Sequence, residues 1–206
     1  MDNNEKIWRN KVLATAYEFA NTIWSPTEKN IYHGYDSNQV LVNTPDADYK
    51  STKFNGWWKI GQQNQGIPYN WGGLCSVKEF QKSITEGKFA GNVPDSRDNE
   101  LSLQCVGVDC SGLVTACWGL EKKQSTKSLL SFVSKLNKID MLLPGDVLLL
   151  PGTHVMIFIE FTDDTKSFVK IIDATRTVGK VSLRIEKISE LVDKGYAGYC
   201  MIRKDE

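Results

Sequence analysis

In the segment GVDCSGLV, Gly107 to Val114, a cysteine stands between an acid, a serine and a glycine where an apolar helix would begin. Unpaired backbone N–H groups and the positive end of a helix dipole favour a thiolate at such a place, which makes Cys110 a candidate nucleophile for a carbonyl carbon. Free cysteines also serve as small buried hydrophobes, and the position alone does not separate the two uses.

A cysteine nucleophile needs a base within hydrogen-bond reach and a third group to orient that base. The chain has two histidines, His33 and His154. His154 opens the run HVMIFIEF, and period-two alternation puts it on one face with Met156 and Phe158. If that face covers the helix begun by Cys110, the imidazole reaches the thiol. His33 lies in a polar, irregular stretch and reads as a solvated loop residue. Asp173 in KIIDAT ends the next apolar run. By accepting a hydrogen bond from one ring nitrogen it would fix the tautomer and leave the other nitrogen for Cys110. A histidine satisfied at a strand edge and an aspartate that opens a turn are the structural alternatives for these two positions.

Asp109 introduces a tension, because a carboxylate beside a thiolate opposes it by like-charge repulsion. Capping the N–H groups of the next turn would engage that charge, making Asp109 and Ser111 structural or substrate-facing. Gly112 would let a neighbouring element or a substrate come close.

The elements that must position these residues are legible from periodicity. Trp8, Val12, Ala16, Phe19 and Ile23 recur at helical spacing from Glu5 to Trp24, with Pro26 as the stop. Residues 25–60 are polar, Gly-containing and aperiodic, ending at Trp57 and Trp58, which would either pack in the core or wall a groove. Ser76 and Glu79 form a capping-box pattern ahead of Val77, Phe80 and Ile84, with Gly87 at the end. Helices are expected over 110–120 and 128–136, the latter burying Leu129, Leu130, Phe132 and Val133. After Pro144 and Gly145 come DVLLL, HVMIFIEF, SFVKIID, KVSLRIE and YAGYCMIR, read as five strands with one short helix over 188–194. Helices first and hairpin-linked strands second describe an α+β domain with a mostly antiparallel sheet.

Composition sets the outer limits. With 206 residues and 41% hydrophobic content the chain suits a single domain, residues 1–206, with a substantial core. The 25 basic and 25 acidic residues cancel without forming blocks, so neither nucleic acid nor an anionic membrane is called for. The polar N-terminus lacks a signal-peptide pattern and no run of 18 apolar residues occurs. A soluble protein is expected, cytoplasmic as it stands, or secreted and wall-associated if a leader has been removed. Cys75, Cys105, Cys110, Cys117 and Cys200 contain no C-x-x-C pair, so zinc-site spacing is absent. Cys117 and Cys200 read as core, and a Cys75–Cys105 disulfide is conceivable only after export.

Three segments together resemble the NlpC/P60 family of papain-like cysteine peptidases: IPYNWGG (Ile67 to Gly73), GVDCSGLV, and PGDVLLLPGTHVMIFI with its GD strand followed by the histidine strand. The resemblance spans about residues 67–175 and implies a papain-like core with the nucleophile helix packed on an antiparallel sheet of about five strands. Its cysteine and histidine fall on Cys110 and His154, which with Asp173 as read from the residues make a triad that needs no metal or organic cofactor, and it implies cleavage of amide bonds in bacterial cell-wall (peptidoglycan) peptides, commonly between γ-D-glutamate and a diamino acid. Tyr69 matches the family's tyrosine near the nucleophile, implying a part in binding substrate or the oxyanion; Trp71, with Trp57 and Trp58, is a candidate for the groove. The family's third polar residue is usually histidine, so Asp173 is a departure, as is the insertion over 74–106, expected to reshape the groove. Residues 1–66 form an N-terminal elaboration. A CHAP-like amidase, a cysteine-dependent acyltransferase and a catalytically silent binding module with the same groove are the alternatives.

Overall fold

A computed structural model describes residues 2–51, 54, 56–96 and 100–202. Six strands form its central antiparallel sheet: β1 (Val133–Lys135), β2 (Val147–Leu150), β3 (His154–Phe161), β4 (Phe168–Thr175), β5 (Lys180–Lys187) and β6 (Ala197–Met201). Their spatial order is β5-β4-β3-β2-β6-β1. β2 to β5 follow one another antiparallel, and β6 returns to lie between β2 and β1. Four α-helices accompany the sheet among the described residues: α1 (Asn3–Asn21), α2 (Val77–Thr85), α3 (Cys110–Trp118) and α4 (Ile188–Asp193). The architecture is α+β.

Local chemistry explains the helix limits. Asp2 caps α1 by accepting from Glu5 N at 2.7 Å. The helix stops at Asn21, ahead of the expected Trp24, because Ile23 and Trp24 switch to a short strand paired with Asn64 and Gln65. Trp24 is held there by T-shaped contacts to Trp58 at 5.5 Å and Phe80 at 5.3 Å. The capping box of α2 is present, with Glu79 N donating to Ser76 Oγ at 3.2 Å and Ser76 N donating to Glu79 Oε2 at 2.7 Å. α3 ends at a left-handed Gly119.

The expected helix over 128–136 is absent. Ser128–Phe132 is a 3-10 turn, and Val133–Lys135 continues as β1 against β6. Leu129 and Val133 are buried, but Leu130 is 42% exposed, so the apolar run does not bury one helical face. A five-residue turn places the β-branched Val133 where it can extend the sheet, which therefore has six strands and not five. Short strands also interrupt the region ahead of α3, with His33–Tyr35 pairing Leu41–Asn43 and Phe89–Ala90 pairing Cys105–Val106.

One core runs through every region of the sequence. Phe19 and Trp24, Trp58, Phe80 and Ile84, Leu113 and Val114, and Val155, Ile157 and Ile172 share a single buried cluster. A smaller cluster, including Leu142, Leu148, Met156, Phe158, Ile171 and Leu191, covers the other face of the sheet. α1 is tied to the turn before β2 by Arg9, whose Nη1 lies 2.8 Å from Asp146 Oδ1 and donates to Pro144 O at 2.8 Å. Asp146 Oδ2 accepts from Leu143 N at 2.8 Å, and Gly145 takes φ +91° in the same turn. The GD pair ahead of the histidine strand is thus an anchoring turn for α1. Among the described residues no helix is long and apolar enough to cross a membrane.

Candidate active site

Alternation along β3 and β4 decides which side chains share a face. α3 shares its core cluster with Val155, Ile157, Ile172 and Ala174. His154 alternates with Met156 and Phe158, and Asp173 with Ile171, which belong to the opposite face. The face that carries His154 therefore does not cover α3, the condition under which the sequence brought the imidazole to the thiol. Cys110 and His154 meet because each is the first residue of its element, α3 and β3, so the contact forms at the rim of the sheet.

At that rim His154 Nε2 lies 2.7 Å from Asp173 Oδ2, which leaves Nδ1 for Cys110. Burial alone would lower the His154 pKa; the Cys110 sulfur and the Asp173 carboxylate outweigh it and raise the imidazole to about 10. Asp173 is 0% exposed. Burial disfavours its charge, but His154 and Arg184 outweigh that and hold its carboxyl below the usual range. Arg184 grips it with a fork, Nε donating to Oδ1 at 3.0 Å and Nη2 to Oδ2 at 2.6 Å, and Arg184 Nη1 pairs with Glu186. Sequence reasoning missed Arg184: it faces Asp173 only because β4 and β5 pair in a register that sets Ile171 opposite Arg184 and Asp173 opposite Ser182.

Asp109 is the N-cap of α3, as expected. Its Oδ1 accepts from Gly112 N at 2.6 Å and Ser111 Oγ at 3.1 Å, and its Oδ2 accepts from Gly72 N at 3.1 Å. Lys123, a second residue that sequence reasoning missed, sits 2.9 Å from Asp109 Oδ1. In the sequence it is one of two adjacent lysines and reads as a solvated charge.

The glycines of the two motifs are there because backbone strands cross. A Cβ on Gly112 would lie 2.0 Å from Gly73 O, and one on Gly73 would lie 2.5 Å from Gly107 O. Gly112→Ala is accordingly expected to destabilise the protein by about 1–3 kcal/mol through overpacking at the start of α3, read by urea denaturation. An unchanged midpoint would mean that the crossing accommodates a methyl group without strain.

Around these residues lies a cleft of about 630 Å³ lined by Tyr69, Trp71, Asp109, Cys110, Ser111 and His154, among others. Arg176, Arg184, Lys194 and Glu186 also face it. Tyr196 stands edge-on to the His154 ring at 6.4 Å; burial, then Asp173 and Cys110, push its phenol up to about 12, so the hydroxyl keeps its proton at neutral pH.

Trp57 and Trp58 do not wall this cleft. Trp58 is 0% exposed in the core, and Trp57 donates from Nε1 to Gly179 O at 2.9 Å. Core packing claims both rings. No described residue of 25–60 or 74–106 lines the cleft either, so the described part of the insertion does not reshape it directly. It braces the rim, since Arg176 Nη1 donates to Pro94 O at 2.9 Å and the guanidinium lies over the Trp71 ring at 5.9 Å. Residues 52, 53, 55 and 97–99 lie outside the described set.

His33 is away from this cleft, 2.8 Å from Asp46 and stacked on Tyr49. Cys75 and Cys105 are separate buried thiols, so the conceivable disulfide is not formed, and Cys117 is buried as expected while Cys200 is half-buried. Among the described residues no group of three His, Cys, Asp or Glu side chains is placed to hold a metal ion. Comparison with protein-family models, with curated proteins and with solved structures finds no match to this chain.

Proposed function

We propose that this protein is a cysteine peptidase with a papain-like core that hydrolyses amide bonds in bacterial cell-wall peptides, with γ-D-glutamyl–diamino acid bonds as the first candidates. The observation that carries this reading is the alignment of Cys110 at a helix start and His154 at one cleft, with Asp173 buried 2.7 Å behind the imidazole. The choice of cell-wall peptides rests on the resemblance of IPYNWGG, GVDCSGLV and the histidine strand to NlpC/P60 enzymes.

In the proposed reaction the Cys110 thiolate attacks the amide carbonyl carbon, and backbone N–H groups at the start of α3, with Tyr69, receive the oxyanion. The tetrahedral adduct collapses with cleavage of the C–N bond, and His154 gives its proton to the departing amine. Water then adds to the thioester while passing a proton to His154. The carboxyl product leaves and the thiolate and imidazolium are restored. Asp173 holds the ring in one orientation throughout, and Arg184 holds Asp173.

Incubation with defined muropeptides, followed by mass spectrometry of the new amine and carboxyl ends, tests this. Wild type is expected to release a γ-D-glutamyl carboxyl end and a diamino acid amine end, and Cys110→Ala is expected to release neither. Cleavage at the lactyl amide, or transfer of the acyl group to an added amine, would replace the peptidase reading with an amidase or acyltransferase. Equal turnover by Cys110→Ala would discard the cysteine mechanism.

A further inference from the structure

We infer that Lys123 is a positioning residue whose charge neutralises Asp109, so that the carboxylate next to Cys110 can cap the nucleophile helix without opposing the thiolate. The Lys123 ammonium lies 2.9 Å from Asp109 Oδ1 and donates to Ser111 Oγ at 2.7 Å and to Gln124 O at 2.9 Å. The loop that carries it is stapled to α3, with Gln124 N donating to Thr115 Oγ1 at 3.1 Å and Thr115 Oγ1 donating to Ser111 O at 2.7 Å. The Asp109 side chain is only 11% exposed and that of Lys123 is 26% exposed, so water screens the pair poorly. Without the ammonium, a nearly buried negative charge would remain one residue from the thiolate.

Other charged and titratable groups surround the cleft that holds Cys110. His154 comes from β3, Arg184 and Glu186 from β5, Arg176 from just after β4, and Lys194 and Tyr196 from the segment after α4, with Asp173 of β4 buried behind His154. Arg184 is already paired with Asp173 and Glu186, and Arg176 is anchored on Pro94. Lys123 is the cation bonded directly to the Asp109 carboxylate.

The inference uses Cys110 as the nucleophile of the proposed function, but its test needs no substrate, so the two can fail separately. The rate of Cys110 alkylation by iodoacetamide is measured from pH 4 to 10 with peptide mapping; Cys75, Cys105 and Cys117 are buried and their peptides are scored apart. Lys123→Met is expected to move the rate–pH profile up by about one unit, roughly a tenfold loss of rate on its acid limb. Lys123→Arg is expected to stay near wild type. Adding Asp109→Asn, which keeps a capping side chain and removes the charge, is expected to bring the Lys123→Met profile back. A Lys123→Met protein with native circular dichroism and an unmoved profile overturns the inference and leaves Lys123 a structural staple. If Lys123→Met does not fold, Asp109→Asn alone decides: a profile moved to lower pH supports the inference, and one unmoved or moved higher overturns it.

Discussion

Asp173→Ala is expected to lower kcat/KM by roughly a hundredfold or more, mostly through kcat, because the imidazole loses the partner that fixes its tautomer and angle. The carboxylate accepts from His154 at 2.7 Å and is completely buried, so no water takes its place without reorganisation. A pH signature should accompany the loss. Cys110 and Asp173 outweigh burial and raise the His154 imidazole to about 10, so the imidazolium proposed to protonate the leaving amine should persist toward that pH. A histidine raised in this way stabilises the fold fully below its unfolded pKa of about 6.5 and ceases to do so as pH rises through 10. Removing Asp173 deletes one of the raising causes, so the basic limb of the kcat/KM profile is expected to move toward neutrality. Asp173→Asn keeps an acceptor for the ring and should fall between wild type and Asp173→Ala. Full activity in Asp173→Ala, with the basic limb still near 10, would give the orienting role to another residue.

Asp146→Ala is expected to cost about 3–5 kcal/mol of stability, which for a chain of this length is a fall in Tm on the order of 10 °C. Asp146 is 1% exposed and holds both Arg9 at 2.8 Å and Leu143 N at 2.8 Å. Its removal leaves the Arg9 guanidinium largely buried, with Glu5 at 2.9 Å and two carbonyls as its remaining partners. The effect should reach the active site, because the turn it anchors leads into β2, the neighbour of the histidine strand. The double variant Arg9→Met with Asp146→Ala should be less damaged than the two single losses added together, since the charge it leaves unpaired is that of the part-exposed Glu5 and not a buried one. A loss under about 1 kcal/mol in Asp146→Ala would mean that the apolar contacts of α1 alone hold it to the sheet.

The two outcomes bear on different links. In the proposed mechanism Asp173 acts through one ring, whereas Asp146 acts on the frame that brings α1, α3 and the sheet together. Helix α1 buries Val12, Ala16 and Phe19 in the same cluster as Leu113 and Val114 of α3, so loosening it exposes the helix that carries Cys110. Activity lost in Asp146→Ala but regained on cooling would mark an effect of stability rather than of catalysis.

What could be read from the sequence is what a few neighbouring residues encode. The capping box of α2, the apolar period of α1 as far as Phe19, the Asp109 cap ahead of Cys110 and the five runs after Pro144 each depend on spacings of two to four residues, and each is found in place. The same local logic misread residues 128–136, where an apolar run long enough for a helix was claimed instead by pairing with β6. Trp57 and Trp58 were ambiguous for a related reason, since an aromatic ring suits a groove or a core equally until its neighbours are known. Cys110, His154 and Asp173 were legible as types in a chemically sensible order. That His154 meets Cys110 at the rim, from the face opposite the one α3 covers, required the sheet itself. Arg184 and Lys123 could not be found at all without it: a charged side chain on an alternating strand or after a helix looks solvated, and strand register or a folded-back loop gives it a buried partner. Element boundaries and the nucleophile motif are short-range properties of the chain, whereas the charges that surround the thiol are set by residues brought together from distant elements, which the sequence order does not encode by itself.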